Sequence, residues 1–177
     1  MSNIKKIKRV SALISKLCTL GIILMPLLLI WIWIDVDRIN GSLESFNDAL
    51  LPEMLALPNQ VLGFIFSMIP VALMMWGLSY LKALFKFFQK GVFFSEKNAQ
   101  LLQNFAKMLF FSTLALPVSG VLVSIAVTIN NLPGQRAVIF NLGTDELSSF
   151  FAAAIFLVLA WVMREASLIR KDSDQLI

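Results

Sequence analysis

Histidine is missing from this chain of 177 residues, and cysteine occurs once, at Cys18. Without histidine, the chain lacks the commonest general base and the commonest transition-metal ligand. A single cysteine cannot form an intrachain disulfide or close a cysteine-based zinc site. We therefore predict no catalytic residues, no metal site and no bound cofactor, and expect a protein that is not an enzyme.

Charged residues are also scarce, at 15% of the chain, whereas hydrophobic residues make up 58% and the mean hydropathy is +0.81. One soluble core of this size cannot bury so many apolar residues, but a lipid bilayer accepts them. The apolar runs predict transmembrane helices at about 17–34, 61–81, 108–129 and 147–163. We predict an all-α integral membrane protein, with residues 1–177 forming a single four-helix membrane domain.

Lysine and arginine lie almost entirely on one side of these runs. Thirteen of the 15 fall in the amino-terminal segment, in the connection between the second and third runs, and in the tail; the other two are Arg38 and Arg136. Basic loops stay on the cytoplasmic side of a membrane, so we expect both termini to be cytoplasmic. The net charge of +4 then fits anionic membrane lipid. No nucleic-acid recognition motif accompanies it, so we expect no direct contact with nucleic acid.

The central parts of the runs contain no Asp, Glu, Lys or Arg, which argues against pumps, proton-coupled carriers and voltage sensors. Pro26, Pro70 and Pro117 each lie near the middle of a run and are predicted to kink it. Each proline frees one helix carbonyl, which neighbours must satisfy. The prolines either shape the packing, or form a hinge or a shallow cavity where the three kinked helices meet. Small residues four apart, such as Gly63 and Ser67, favour close helix packing within a bundle or a homo-oligomer.

The connection between the second and third runs predicts a helical hairpin. Lys86 and Lys90 are favourable near the end of a helix, and Gly91 supplies its stop. Ser95 is predicted to cap a new helix that starts at Glu96 and continues at helical spacing into the third run. The second and third spans would thus extend into a cytoplasmic helical hairpin, with Phe94 between its arms.

The two loops on the other side differ in what they predict. Ser42 is predicted to cap a helix in the long loop after the first span. That helix either rests on the surface of the bundle or forms a lid or docking surface for an external ligand. The loop before the fourth span predicts structure without chemistry. Thr144 is predicted to cap the fourth helix, with Asp145 and Glu146 in its first turn.

Residues 87–102 resemble the central motif of a bacterial membrane family called domain of unknown function 2975. That motif combines an aromatic residue, a glycine, a Phe-Ser or Phe-Thr pair, an asparagine and a leucine. The matching positions are Phe88, Gly91, Phe94, Ser95, Asn98, Leu101 and Leu102. The four-span layout is similar over nearly the whole chain. The family's acidic tail is kept in Asp174, Leu176 and Ile177, but Gln175 is interposed and the threonine is absent.

The resemblance implies a multi-pass protein of the bacterial inner membrane. Because members of the family are often encoded beside a small helix-turn-helix regulator, it also implies a cytosolic regulatory protein of that type as a partner. We therefore take the seven motif residues as a candidate cytoplasmic interaction motif. Two alternatives stay open: the hairpin binds lipid head groups, or several copies of the chain form a channel or transporter component.

Overall fold

The structure is a computed structural model that describes residues 2–35, 55–93, 95–132, 136, 138–140 and 143–175. Three predictions lie outside these residues: the surface helix capped by Ser42, the placement of Phe94, and the end of the tail at Leu176 and Ile177.

The described chain is built from four helices of nearly equal length. They are α1 (Ser2–Ile34), α2 (Leu57–Gln89), α3 (Glu96–Thr128) and α4 (Thr144–Gln175). A helix of such length measures about 50 Å, whereas the hydrocarbon core of a bilayer is about 30 Å thick. All four helices are long and apolar enough to cross a membrane. The all-helical class and the four candidate spans are confirmed, and each helix continues beyond its predicted apolar run.

The helices pack side by side in chain order. The extensive contacts join α1 to α2, α2 to α3, and α3 to α4. Of the two inner helices of the row, α3 carries most of the buried residues, whereas α1 and α4, at the two ends of the row, expose many large apolar side chains. Such exposed apolar surface fits a lipid environment, in which apolar residues need no protein cover.

Small residues let these helices approach closely. Gly63 of α2 lies so near the indole ring of Trp33 that a Cβ atom there would overlap the ring. On α4, the buried residues Ala153, Ala160 and Ser167 are spaced seven apart, the spacing of a left-handed helix contact.

Pro70 shows how a proline is accommodated in a buried helix face. Proline has no N–H, so the carbonyl of Phe66, four residues earlier, loses its helical donor. The hydroxyl of Ser119 on α3 donates to that carbonyl at 2.8 Å. The hydroxyl of Ser112 donates to the carbonyl of Pro70 itself at 2.9 Å. Two hydrogen bonds from α3 thus join α3 to α2 near the proline. The bond from Ser119 satisfies the freed carbonyl, as the sequence analysis predicted a neighbouring residue would have to do.

The main apolar core lies toward one end of the helix row, where α2 turns into α3. It consists of Leu84, Leu101, Leu102, Phe105 and Ala160. Aromatic side chains extend this core toward α4, where the rings of Phe105 and Phe156 meet edge to face at 5.2 Å. The core holds α2, α3 and α4 together directly beneath the turn that carries the candidate motif.

Candidate interaction site

The connection of residues 90–95, called the turn below, begins with a glycine-dependent helix end. Gly91 has φ +86°, a left-handed conformation that glycine adopts without a steric penalty. The N–H of Val92 donates to the carbonyl of Phe87 at 3.1 Å, and the N–H of Gly91 donates to that of Phe88 at 3.0 Å. This pair of bonds is a Schellman motif, which satisfies carbonyls at the end of a helix. The predicted stop at Gly91 is confirmed.

A serine cap ends the turn and starts α3. The backbone of Ser95 is extended, and its hydroxyl oxygen accepts a hydrogen bond from the N–H of Asn98 at 3.2 Å. Capping of this kind satisfies one of the free N–H groups at a helix start. The prediction of a Ser95 cap and of a helix beginning at Glu96 is confirmed.

Asn98 fastens the turn to α3. Its side chain is fully buried, and Nδ2 donates to the carbonyls of Val92 at 2.8 Å and Phe93 at 3.1 Å. Its Oδ1 is buried with no hydrogen-bond partner among the described residues. A buried amide stabilises the structure only when it is hydrogen-bonded. The sequence placed Asn98 in the motif but did not show that its side chain holds the turn together.

The remaining motif residues lie beneath the turn. Leu101 and Leu102 are buried in the apolar core, and Phe88 packs against it. The ring of Phe88 also contacts the rings of Phe85 at 5.6 Å and Phe93 at 5.9 Å. The described part of the motif therefore determines the shape of the turn, while its neighbours Lys90, Val92 and Lys97 form the exposed surface.

The amino-terminal part of α1 packs against the same turn. The side chain of Gln89 donates from Nε2 to the carbonyl of Ser11 at 3.3 Å, and Ser11 is buried. The side chain of Lys8 lies beside Gly91, with its Cε 3.4 Å from where a Cβ would stand. These contacts bring the basic amino-terminal segment and the basic turn to one end of the helix row.

The carboxy-terminal half of α4 reaches that end as well and forms a cleft with α3. The cleft has a volume of about 360 Å³. The buried residues Ala99 and Ala160 form its floor. Polar and aromatic side chains surround the floor: Glu96, Lys97, Gln100, Gln103, Trp161 and Arg164. Sequence reasoning missed this cleft, because no sequence signal pairs the two helices in this register.

A second, more open groove of about 330 Å³ lies between α1, α2 and α3. Pro70 and Ser112 line it together with apolar side chains, among them Met25, Leu29 and Met74. Because the Ser112 hydroxyl donates to the carbonyl of Pro70, the groove is lined almost entirely by apolar atoms. A shallow cavity thus exists at Pro70, whereas Pro26 and Pro117 lie inside α1 and α3 and do not line it.

At the other end of the row, a described residue of the connection between α3 and α4 is hydrogen-bonded to α3. The N–H of Ile139 donates to the buried hydroxyl of Ser124 at 3.0 Å. The carboxylate of Glu146 accepts from the N–H of Gly143 at 2.8 Å, so the chain caps α4 one residue before the predicted Thr144. Within the described ranges, no group of three or more His, Cys, Asp or Glu residues could hold a metal ion.

Comparison with known proteins places the chain in one family. The sequence profile of the family described as "Protein of unknown function (DUF2975)" matches residues 39–177. Neither the curated proteins nor the solved structures contain a match.

Proposed function

The chain belongs to the DUF2975 family, and on that premise we propose a non-enzymatic protein of the bacterial inner membrane that binds a cytosolic regulatory protein. Both termini and the turn lie in the cytoplasm in this proposal. The partner is of the helix-turn-helix type that the family resemblance implies, and it contacts the exposed surface of the turn.

Charge and geometry together support this orientation. The contacts of Gln89 with Ser11 and of Lys8 with Gly91 bring the amino-terminal segment to the turn. The segments gathered at this end contain 13 of the 15 Lys and Arg residues of the chain. Positively charged segments are retained in the cytoplasm when a membrane protein inserts.

The partner assignment rests on the number of hydrogen bonds that fix the conformation of the turn. A Schellman motif, a serine cap and the fully buried Asn98 together fix the described residues of this connection. Orientation by charge alone needs only basic residues and no defined turn. A rigid surface presenting Lys90, Val92 and Lys97 suits recognition by a protein, because a preorganised surface loses little entropy on binding.

The channel alternative has weaker support. A permeation path needs polar atoms or water along the spans. The groove at Pro70 is lined mainly by apolar side chains, and the hydroxyls of Ser112 and Ser119 already donate to carbonyls of α2.

Partner binding is tested by photo-crosslinking in cells. A photoreactive residue is introduced at Lys90 or Lys97, with Arg136 at the other end of the row as the matched control. We expect one cytosolic protein to be captured from the turn positions but not from position 136. Capture of no specific cytosolic protein, or equal capture from position 136, would contradict the proposal.

Orientation is tested separately by cysteine labelling in a Cys18→Ser background. A membrane-impermeant maleimide added to spheroplasts should label Arg136→Cys, and should label Lys5→Cys and Lys90→Cys only after lysis. Labelling of Lys5→Cys in intact spheroplasts would reverse the orientation.

A further inference from the structure

The edge of the membrane's hydrocarbon layer can be traced across the helix row, beginning at α1. No charged residue occurs from Leu17 to Ile34, a run of about 27 Å. Leu17 therefore marks the inner edge of that layer. A methyl group of Leu78 on α2 lies 3.3 Å from where a Cβ of Gly21 on α1 would stand. Lys82, one turn further along the antiparallel helix α2, therefore lies level with Leu17.

The contacts of α3 with α2 and with α4 show where the same edge of the hydrocarbon layer lies beside the cleft. Gly77 of α2 faces Met108 of α3, with 3.1 Å from a Cβ built on Gly77 to the Cβ of Met108. Gln103, five residues before Met108, thus lies at the same edge as Lys82. Because the ring of Phe105 meets that of Phe156 edge to face, the edge crosses α4 close to residue 158.

Two lining residues of the cleft lie just outside that edge. Trp161 and Arg164 are about 5 Å and about 9 Å beyond residue 158 along α4. The head-group layer on one side of a bilayer is about 5–8 Å thick. The cleft therefore opens across the head-group layer, with Trp161 inside that layer and the long side chain of Arg164 at its aqueous border, although the apolar run on α3 alone would place it further into the cytoplasm.

The side chains of the cleft suit an anionic phosphate group. Lys97 and Arg164 supply positive charge from its two walls, and Gln100 and Gln103 offer amide groups. The Lys97 Nζ lies 3.5 Å from the Gln100 Oε1, so Lys97 is directed along the α3 wall. Glu96 is the one carboxylate among the lining residues, which leaves the lining cationic overall. Trp161, whose side chain is well exposed, offers an amphipathic ring of the kind that lies at head-group level.

We propose that the cleft between α3 and α4 binds the head group of an anionic phospholipid. The phosphate lies between Lys97 and Arg164, and the glycerol side faces Trp161 and the alanine floor. Basic pockets between membrane helices on the cytoplasmic side are established sites for such head groups. This inference rests on the membrane placement proposed above, but it does not depend on the cytosolic partner.

The test measures lipid binding by the purified full-length chain in neutral detergent, using native mass spectrometry. The probes are short-chain phosphatidylglycerol, short-chain phosphatidylcholine and glycerol phosphate. We expect phosphatidylglycerol to bind at least about fivefold more tightly than either of the others. Lys97→Gln and Arg164→Gln should each weaken it by about fivefold. Lys86→Gln is the matched control, because Lys86 is exposed on α2 outside the cleft, and it should change binding less than twofold.

Three results would overturn the assignment. Equal binding of phosphatidylcholine would show that no anionic head group is selected, and equal binding of glycerol phosphate would indicate a site for soluble phosphoesters. If Lys86→Gln and Lys97→Gln weakened the binding of phosphatidylglycerol equally, the binding would depend on diffuse positive charge and not on the cleft. Because no cytosolic protein is present, failure of the partner proposal leaves this result unaffected. Extraction of the protein from membranes by alkaline carbonate would instead refute the membrane placement itself.

Discussion

Removing the hydroxyl of Ser119 should show how much stability α2 loses by carrying Pro70 in its interior. The Phe66 carbonyl receives no helical N–H because of Pro70, and the hydroxyl of Ser119 donates to it at 2.8 Å. Ser119→Ala leaves this carbonyl without that donor, at a buried helix contact where no other hydroxyl among the described residues is placed to replace it. Ser119 is buried, so the substitution also removes the hydroxyl from a closed contact between α2 and α3.

The expected loss in the free energy of unfolding is moderate. Interhelical hydrogen bonds in membrane proteins average about 0.6 kcal/mol and reach about 1.7 kcal/mol. We expect Ser119→Ala to lie near the upper end, at about 1.5 kcal/mol, since the acceptor has lost its helical donor. In a Pro70→Ala background, the new backbone N–H at position 70 can donate to Phe66, so Ser119→Ala should then cost less than about 0.5 kcal/mol. The predicted coupling energy is therefore about 1 kcal/mol.

The double-mutant cycle is measured as reversible unfolding in mixed micelles of neutral detergent and dodecyl sulfate. Ser79→Ala is the matched control, because the exposed Ser79 hydroxyl bonds only within its own helix, to the carbonyl of Trp76. That control should change stability by less than about 0.5 kcal/mol. An equal loss from Ser119→Ala with and without Pro70 would refute the reasoning, because the serine would not then be compensating for the proline.

Three further predictions concern the turn and the helix contacts. Gly91→Ala should lower stability by about 1 kcal/mol because of the positive φ of Gly91, and Gly91→Asn should lower it less; equal losses in thermal melts would exclude backbone strain as the cause. Asn98→Ala removes two hydrogen bonds to the turn and should cost about 2 kcal/mol, with faster amide exchange over residues 91–95; unchanged exchange would show that the amide does not hold the turn. Gly63→Ala should cost about 1–3 kcal/mol because its Cβ overlaps Trp33, and Trp33→Leu should relieve most of that loss; strictly additive losses in the double variant would contradict the contact.

Local signals predicted the elements around the turn closely. Gly91 and Ser95 act through backbone groups within a few residues, so their roles follow from residue type and position alone. Both the helix end and the helix start fell where they were predicted. The predicted cap of α4 was shifted by one residue: the carboxylate of Glu146 accepts from the N–H of Gly143, which places the cap one residue before Thr144.

The motif itself was harder to interpret from sequence. Its pattern suggested a surface for a partner, yet Asn98, Leu101 and Leu102 are buried. The sequence does not show whether the amide of an asparagine faces water or two backbone carbonyls. Only the path of the turn showed that Nδ2 of Asn98 meets Val92 and Phe93.

The sequence by itself determined that four helices form, how long their apolar runs are, and which segments carry the positive charge. These properties depend on composition and on contacts within a few residues. The tertiary structure alone decided how the helices are offset along one another, which places Ser119 at the carbonyl freed by Pro70 and Arg164 opposite Lys97 across a cleft. Apolar helix surfaces can slide past each other with little change in hydrophobic energy, so the register depends on the close fit of small residues and on a few interhelical hydrogen bonds.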